Sequence, residues 1–291
     1  MRRLERIDAM KRKDRNRRRG NRGAVPRRVW MWTLFWFVLA AAAIACSHRL
    51  SPIGPGAGTD TRPAAGPVAA GKSLPGGLEL PACGERDTVI YNAEGRYSFL
   101  YRPACKVSRW VAYKLTRSDL AGAADRSDAF RPDPRLASLG WPSATDADYK
   151  GSGYDRGHLL PSADRKCSRE ANRATFLYSN MAPQSPKLNR GAWKALEERL
   201  RSLTADYDTL YIVVGTVVDG RPRRIGRGVA VPGLFFKAAA LRRADVFDAV
   251  AYVMPNEAGS LGGKRYADFE VTVDSVERLT GLDLFPRIPT L

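Results

Sequence analysis

The chain has 291 residues, a formal net charge of +18 and a hydrophobic fraction of 44%. This length suffices for one core of roughly 200 residues plus accessory segments, so we expect a single catalytic domain. The two histidines and four scattered cysteines lack the usual ligand spacing of zinc enzymes, which disfavours that class. The basic excess favours anionic partners such as nucleic acids, although a solvated basic surface without a ligand explains the charge equally well.

The first 45 residues combine a basic tail with an apolar segment. Residues 1–28 carry 13 Lys and Arg against three acidic residues, and the seventeen residues 29–45 are uncharged. This length is short for a membrane-spanning helix and slightly long for a cleaved signal, but both imply export. By the positive-inside rule the tail stays in the cytoplasm and the rest of the chain lies outside it. We predict an uncleaved membrane anchor at residues 29–45, with a lipoprotein processed at Cys46 or plain secretion as alternatives.

Residues 46–82 are rich in Pro, Gly and Ala, and such a composition predicts a flexible linker before a folded domain at residues 83–291. In an exported domain disulfides are permitted. Cys83 and Cys105 flank a short predicted strand pair and are the preferred disulfide. Cys167 is then left over, although it could pair with either of them, because sequence alone does not determine connectivity.

The folded domain contains many segments with the composition of β-strands. They cover residues 88–92, 97–101, 110–115, 209–214, 234–241, 246–254 and 268–273. One helix is predicted at residues 191–203, where Trp193, Leu196, Leu200 and Leu203 recur at helical spacing. A second begins with a capping-box-like sequence at residues 274–277 and ends at Gly281. Because strands lie between these helices, we predict an α+β domain with a mostly antiparallel central sheet flanked by helices.

His158 is the single histidine of the predicted domain and ends the sequence Asp-Arg-Gly-His at residues 155–158. An imidazole titrates near neutrality, so this one is a candidate proton acceptor for a reaction at phosphate. Phosphodiester hydrolysis also requires positive charge at the transition state and at the leaving oxygen. Magnesium suits this need, because it keeps most of its waters and requires only one or two protein oxygens. Amide oxygens are available at Asn180, Gln184 and Asn189.

Three motifs follow one another in the middle of the domain. They read Asp-Arg-Gly-His at residues 155–158, Ser-Asn-Met-Ala-Pro-Gln at 179–184 and Leu-Asn-Arg-Gly-Ala-Trp-Lys-Ala-Leu-Glu at 188–197. Together they resemble the DNA/RNA non-specific endonucleases of the ββα-metal superfamily, over about residues 90–288. The resemblance implies a ββα-metal active-site motif within the α+β fold. It also implies hydrolysis of DNA and RNA to 5′-phosphate ends, with Mg²⁺ as cofactor and Mn²⁺ as a substitute.

The resemblance implies a catalytic role for five residues. His158 would be the general base for water, and Asn189 the direct protein ligand of one Mg²⁺. Glu197 would be an outer-shell partner of the hydrated ion. Arg126 and Arg156 would stabilise phosphate charge.

Three further residues would support the site. Asp155 and Asn180 would hold it by hydrogen bonds, and Arg201 lies where the family often has another phosphate-facing arginine. Simpler interpretations stay open at this point. Asn189 could merely cap the helix that follows it, and Glu197 with Arg201 could form only an exposed helical ion pair.

Two other functions remain open from the sequence. The first is a nucleic-acid binding or uptake module that keeps the fold without turnover, although intact His158, Asn189 and Glu197 argue against it. The second, weaker one is a cysteine hydrolase that uses Cys167 with His158. A basic loop later in the chain either tracks a nucleic-acid backbone or is simply solvated; its arginines are Arg221, Arg223, Arg224 and Arg227.

Overall fold

A seven-stranded antiparallel sheet is the centre of the computed structural model, which describes residues 77–288. The strands are β1 (Val89–Asn92), β2 (Tyr97–Arg102), β3 (Val107–Leu115), β4 (Asp155–His158), β5 (Met181–Gln184), β6 (Thr209–Val217), β7 (Arg224–Ile225), β8 (Val229–Ala230), β9 (Leu234–Arg243), β10 (Val246–Pro255) and β11 (Glu270–Val271). The order in the large sheet is β1-β2-β3-β6-β9-β10-β11, while β4 pairs with β5 and β7 with β8. The α+β class with a mostly antiparallel sheet is therefore confirmed.

Helices lie on both sides of this sheet. Those within residues 77–288 are α1 (Arg117–Leu120), α2 (Pro134–Ser138), α3 (Asp146–Tyr149), α4 (Arg169–Ala174), α5 (Trp193–Leu203) and α6 (Val273–Thr280). Among these described residues, no helix has the length and apolar character needed to cross a membrane. The basic tail, the apolar segment at residues 29–45, Cys46 and most of the predicted linker lie outside the described residues.

The sheet separates two hydrophobic cores, because successive side chains of a strand point to opposite faces. In β3, Val111 and Tyr113 pack on one face, whereas Trp110 and Ala112 pack on the other. The first face is covered by α5 and by the β4–β5 pair, and we call it the α5 face. The opposite face is covered by α6 and the residues that follow it, and we call it the α6 face.

The two long helices form where the apolar periodicity predicts them. On α5 the stripe of Trp193, Leu196, Leu200 and Leu203 is buried, and each such aliphatic side chain contributes about 1.5–3 kcal/mol when removed from water. The predicted N-cap of α6, Asp274, lies two residues after the observed one. Thr272 is the N-cap and accepts a hydrogen bond from the amide of Ser275, while Gly281 ends the helix in the left-handed conformation at φ 64°.

Other local predictions are wrong or incomplete. The strand predicted at residues 268–273 is reduced to β11, because the chain makes a 3₁₀ turn at Tyr266–Phe269 and α6 already begins at Val273. The strands β4 and β5 carry two of the three motifs but were not predicted as strands. Their sequences, Asp-Arg-Gly-His and Met-Ala-Pro-Gln, contain none of the β-branched or aromatic residues by which strands such as β1 are recognised.

The predicted disulfide between Cys83 and Cys105 is wrong, because both residues and Cys167 are free thiols. Cys105 packs against the core of the α5 face. Cys83 is exposed, and the segment that carries it packs through Leu80 into the core of the α6 face. A disulfide requires facing side chains with Cα atoms within about 7 Å, whereas these two segments belong to opposite faces of the sheet.

Candidate active site

The three sequence motifs meet on the α5 face. In the β4–β5 pair, Asp155 lies opposite Gln184 and His158 opposite Met181. A helical turn at Leu188–Ala192, kinked at Gly191, then leads directly into α5. Two antiparallel strands and one helix are thus combined as a ββα unit.

A cleft of about 350 Å³ opens between these elements and contains six of the eight residues predicted from the sequence. These six are Arg126, Arg156, His158, Asn189, Glu197 and Arg201. The other two, Asp155 and Asn180, bond to residues of the cleft or to the backbone beside it. A larger groove of about 930 Å³, between β1, α2 and the segment before β1, contains none of the eight.

His158 is almost completely enclosed, with 8% of its surface exposed. The ring centroids of Phe130 and Phe176 lie 5.9 and 4.8 Å from that of His158, and its Nε2 is buried without a hydrogen-bond partner among the described residues. Burial first, and then the positive charges of Arg126 and Arg156, lower the pKa of His158 from 6.5 to about 3. The imidazole is therefore neutral at pH 7 and able to accept a proton.

This lowered pKa predicts that His158 makes the fold sensitive to acid. Between pH 6.5 and about pH 3 the unfolded chain binds a proton that the folded His158 does not, so stability is lost as the pH falls through this window. We expect a shallower loss in His158→Asn, whose side chain does not titrate. Urea unfolding of both proteins at about pH 7 and about pH 5 measures the difference. Equal losses of unfolding free energy would contradict the prediction.

Asn189 is oriented by Asp155. Its Nδ2 donates to Asp155 Oδ2 at 2.9 Å, which leaves the carboxamide oxygen available in the cleft. The helix-cap interpretation is wrong, because the N-cap of α5 is Ala192 and has no side-chain cap. Asp155 also accepts two hydrogen bonds from the guanidinium of Arg190, at 2.9 and 2.7 Å. Burial alone raises the pKa of Asp155, but the hydrogen bonds from Arg190 and Asn189 outweigh it and lower the pKa below its ordinary value.

Glu197 pairs with a buried lysine rather than with Arg201. Lys237 on β9 has no exposed side-chain surface, and its Nζ donates to Glu197 Oε1 at 3.2 Å. The same ammonium group lies 4.6 Å from the ring centroid of Trp193. Burial raises the pKa of Glu197, and the charge of Lys237 opposes that rise. Arg201 instead donates to Asp164 at 2.9 Å, so the exposed Glu197–Arg201 pair is wrong.

The two arginines beside His158 are each held by an acidic group and an aromatic ring. Arg126 donates to Asp128 at 2.7 Å and to Ser162 at 3.2 Å, and its guanidinium lies 4.9 Å from the Phe176 ring centroid. Arg156 forms an ion pair with Asp146 and lies 3.9 Å from the Phe130 ring centroid. Both guanidinium groups are thus oriented but remain partly accessible, as contacts to phosphate oxygens require.

Asn180 lies behind the cleft and is completely buried. Its Nδ2 donates to the carbonyls of Leu160 and Thr175 at 2.9 and 2.8 Å, and its Oδ1 accepts from the amide of Leu160 at 2.9 Å. These bonds hold the backbone that directly follows β4. Asn180 therefore determines where the strand carrying His158 ends.

Sequence reasoning missed several residues of the site. Arg190 adjoins Asn189, and Lys194 lies one helical turn before Glu197, so the motif at residues 188–197 already contains both. Lys237 is 40 residues from Glu197 and is identified only by the tertiary fold. Cys167 does not line the cleft; its Sγ lies 2.9 Å from Arg96 Nη2, and the hypothesis of a Cys167–His158 hydrolase is wrong.

Comparison with known proteins agrees with this geometry. The family model for DNA/RNA non-specific endonucleases matches residues 84–291. Mitochondrial endonuclease G of Bos taurus is 36% identical over 248 residues, covering 76% of this chain and 81% of the relative. The endonuclease G of Homo sapiens is 39% identical over 209 residues, with 66% and 68% coverage. A nuclease of Nostoc sp. is 37% identical over 210 residues, with 67% and 73% coverage.

A solved structure gives the same result for the fold. The crystal structure of the EndoG/EndoGI complex superimposes with a TM-score of 0.64 at 31% identity, covering 72% of this chain and 89% of the other. Nucleases of this family are typically metal-dependent and act on nucleic acids. With its folded domain matched throughout, the chain belongs to the DNA/RNA non-specific endonuclease family and is related to endonuclease G.

Proposed function

We propose that the chain is a Mg²⁺-dependent endonuclease that hydrolyses phosphodiester bonds of both DNA and RNA and leaves 5′-phosphate ends. One observation carries the proposal: a neutral His158 and an oriented Asn189 share a cleft whose other charged groups are mainly arginines. His158 would accept the proton of the attacking water. Arg126 and Arg156 would hold the phosphate oxygens.

The donors in the cleft fit a magnesium ion. Asn189 offers a neutral oxygen, and Glu197 has one carboxylate oxygen bonded to Lys237 and a second that accepts no hydrogen bond from the described residues. Among residues 77–288, no three His, Cys, Asp or Glu side chains are grouped as a metal site. Magnesium needs only one or two protein oxygens, so Asn189 would bind it directly and Glu197 through its hydration shell. When bound, Mg²⁺ supplies positive charge near the phosphate and the leaving 3′-oxygen.

The restricted orientation of His158 supports its role as a general base. Phe130 and Phe176 restrict the ring, and the imidazole is free of a proton at neutral pH. The flanking arginines attract phosphate, and the negative charge of a bound phosphate would raise the pKa of His158 toward neutrality, where a general base is most effective. Contacts of this kind fall on the backbone of a nucleic acid, so little dependence on sequence or sugar is expected.

Removing the Asn189 carboxamide is expected to weaken metal binding at this position. We expect Asn189→Ala to lower kcat/KM by roughly 10²-fold and to raise the Mg²⁺ concentration that gives half-maximal activity. Cleavage of a fluorescent oligonucleotide over a Mg²⁺ titration measures both quantities. Thermal unfolding without metal is the control for folding. An unchanged titration curve would refute direct ligation by Asn189.

The function itself is tested on the full chain with plasmid DNA, single-stranded DNA and RNA, with Mg²⁺, with Mn²⁺ and with EDTA. We expect metal-dependent fragmentation of all three substrates and 5′-phosphate ends on the fragments. Binding without cleavage under every metal condition would support the alternative, an inactive nucleic-acid binding or uptake module of the same fold. Fragments with 3′-phosphate ends would contradict the proposal, because they arise when the bond from phosphorus to the 5′-oxygen breaks instead of the bond to the 3′-oxygen.

A further inference from the structure

A second pocket of about 610 Å³ lies beside the cleft. Arg156 lines both cavities, and Asp155 lines the second pocket while binding Asn189 and Arg190 of the cleft. The strand β4 therefore separates two adjoining sites. A nucleic-acid strand bound across Arg156 in the cleft would continue into this second pocket.

The acidic groups that line this pocket are already neutralised by neighbours. Asp146 forms an ion pair with Arg156 and accepts a hydrogen bond from Tyr178 at 2.6 Å, and Asp155 is paired with Arg190. Lys150 also lines the pocket, is exposed, and its ammonium group has no ion-pair partner among the described residues. The pocket therefore has a cation available for an anionic ligand.

An aromatic ring lines the pocket, and a second cation from outside the pocket lies over that ring. Tyr154 is half-buried, packs against the core of the α5 face, and is therefore held in a fixed orientation. The guanidinium of Arg223 lies 5.4 Å from the Tyr154 ring centroid, and this side chain is exposed without an ion-pair partner in residues 77–288. Guanidinium groups and aromatic rings both offer flat faces on which nucleobases stack.

The loop that carries Arg223 is anchored. Arg224 Nη1 donates to the carbonyls of Ala104 and Gly228 at 3.0 and 2.6 Å. The amide of Arg227 donates to Asp148 Oδ1 at 2.6 Å. The basic loop is thus held against α3, whose neighbouring residues line the pocket.

We propose that this pocket is a second substrate subsite that binds one nucleotide of a strand whose neighbouring phosphate lies in the cleft. The base stacks on the layered pair of Tyr154 and Arg223 at the edge of the pocket, and Lys150 binds the phosphate. The inference rests on the proposed nuclease function and adds to it a specific set of substrate contacts. It requires that long substrates bind better than substrates that fill only the cleft.

The test compares two substrates on the full chain: bis(p-nitrophenyl) phosphate, which carries no nucleotide for this pocket, and a single-stranded oligonucleotide of about 20 nucleotides. In Tyr154→Leu and Arg223→Ser we expect roughly a 10-fold higher KM for the oligonucleotide, with kcat and hydrolysis of the small ester nearly unchanged. Tyr154→Phe keeps the ring and should retain the native KM. Arg278→Ser on α6 is the matched control, because it removes the same charge on the α6 face.

Several outcomes overturn the subsite. If Arg223→Ser raises the KM for the oligonucleotide no more than Arg278→Ser does, only overall charge matters. If the variants slow hydrolysis of the small ester as much as that of the oligonucleotide, the cleft itself is damaged. If the native chain cleaves neither substrate, the proposed nuclease function fails. Fluorescence anisotropy of the oligonucleotide then still tests the subsite, because Tyr154→Leu must weaken binding roughly 10-fold and Tyr154→Phe must not.

Discussion

Replacing His158 with alanine is expected to lower kcat/KM for DNA cleavage by roughly 10³-fold, within the range that a general base contributes. The reason is the position of this imidazole: it is neutral, enclosed by Phe130 and Phe176, and flanked by Arg126 and Arg156 in the same cleft. No other histidine occurs in residues 77–288 to replace it. Single-turnover cleavage of an end-labelled duplex measures the loss.

DNA binding separates lost chemistry from lost structure in this variant. The arginines proposed to contact phosphate are retained, so the Kd for a duplex in the presence of EDTA should change by no more than about twofold. A variant that still cuts at a tenth of the native rate would show that His158 is not the base. A Kd raised as much as the rate is lowered would point to a damaged cleft instead.

Replacing Lys237 with methionine is expected to reduce the free energy of unfolding by about 3 kcal/mol. The substitution leaves the Glu197 carboxylate, which is 12% exposed, without its cationic partner. The cost lies at the low end for a broken buried pair because Glu197 keeps some contact with solvent and can take up a proton. Urea unfolding at neutral pH measures it.

The double variant Lys237→Met with Glu197→Gln should recover most of that stability, because it removes the uncompensated charge. The matched control is Lys194→Met, which breaks the exposed pair between Lys194 and Glu198 at 3.7 Å and should cost well under 1 kcal/mol. Equal losses in the two single variants would show that burial of the Lys237–Glu197 pair has no energetic consequence. Failure of the double variant to recover would mean that Lys237 stabilises the fold mainly through packing on Trp193.

Much of the site follows from local sequence. The spacing of Trp193, Leu196 and Leu200 predicts α5, and the motif residues His158 and Asn189 both line one cleft, while their roles stay predictions. Such predictions succeed because a helical stripe and a short motif depend on residues close together in the chain. The ion-pair partners of the site cannot be predicted from local sequence in this way. The simpler interpretation left open by the sequence paired Glu197 with Arg201 one turn away, whereas its partner is Lys237 on β9.

The wrong disulfide prediction has the same cause. Cys83 and Cys105 flank neighbouring strands, but a strand pair has two faces, and which face a flanking segment packs on depends on the whole sheet. The proposed subsite also required the fold, because Tyr154 and Arg223 are far apart in the chain and meet only where the loop between β6 and β7 packs against the residue before β4.

The amino-acid sequence by itself determined the family, the α+β class and the identities of the principal cleft residues, because these depend on motifs and periodicities within short stretches. Only the tertiary structure decided the lowered pKa of His158, the buried lysine beneath Glu197 and the ion pairs of Arg156, Arg190 and Arg201. The physical reason is that desolvation and ion pairing depend on distances between side chains in space. Those distances are set by how the sheet and α5 pack together, and they are not encoded in the spacing of any one motif.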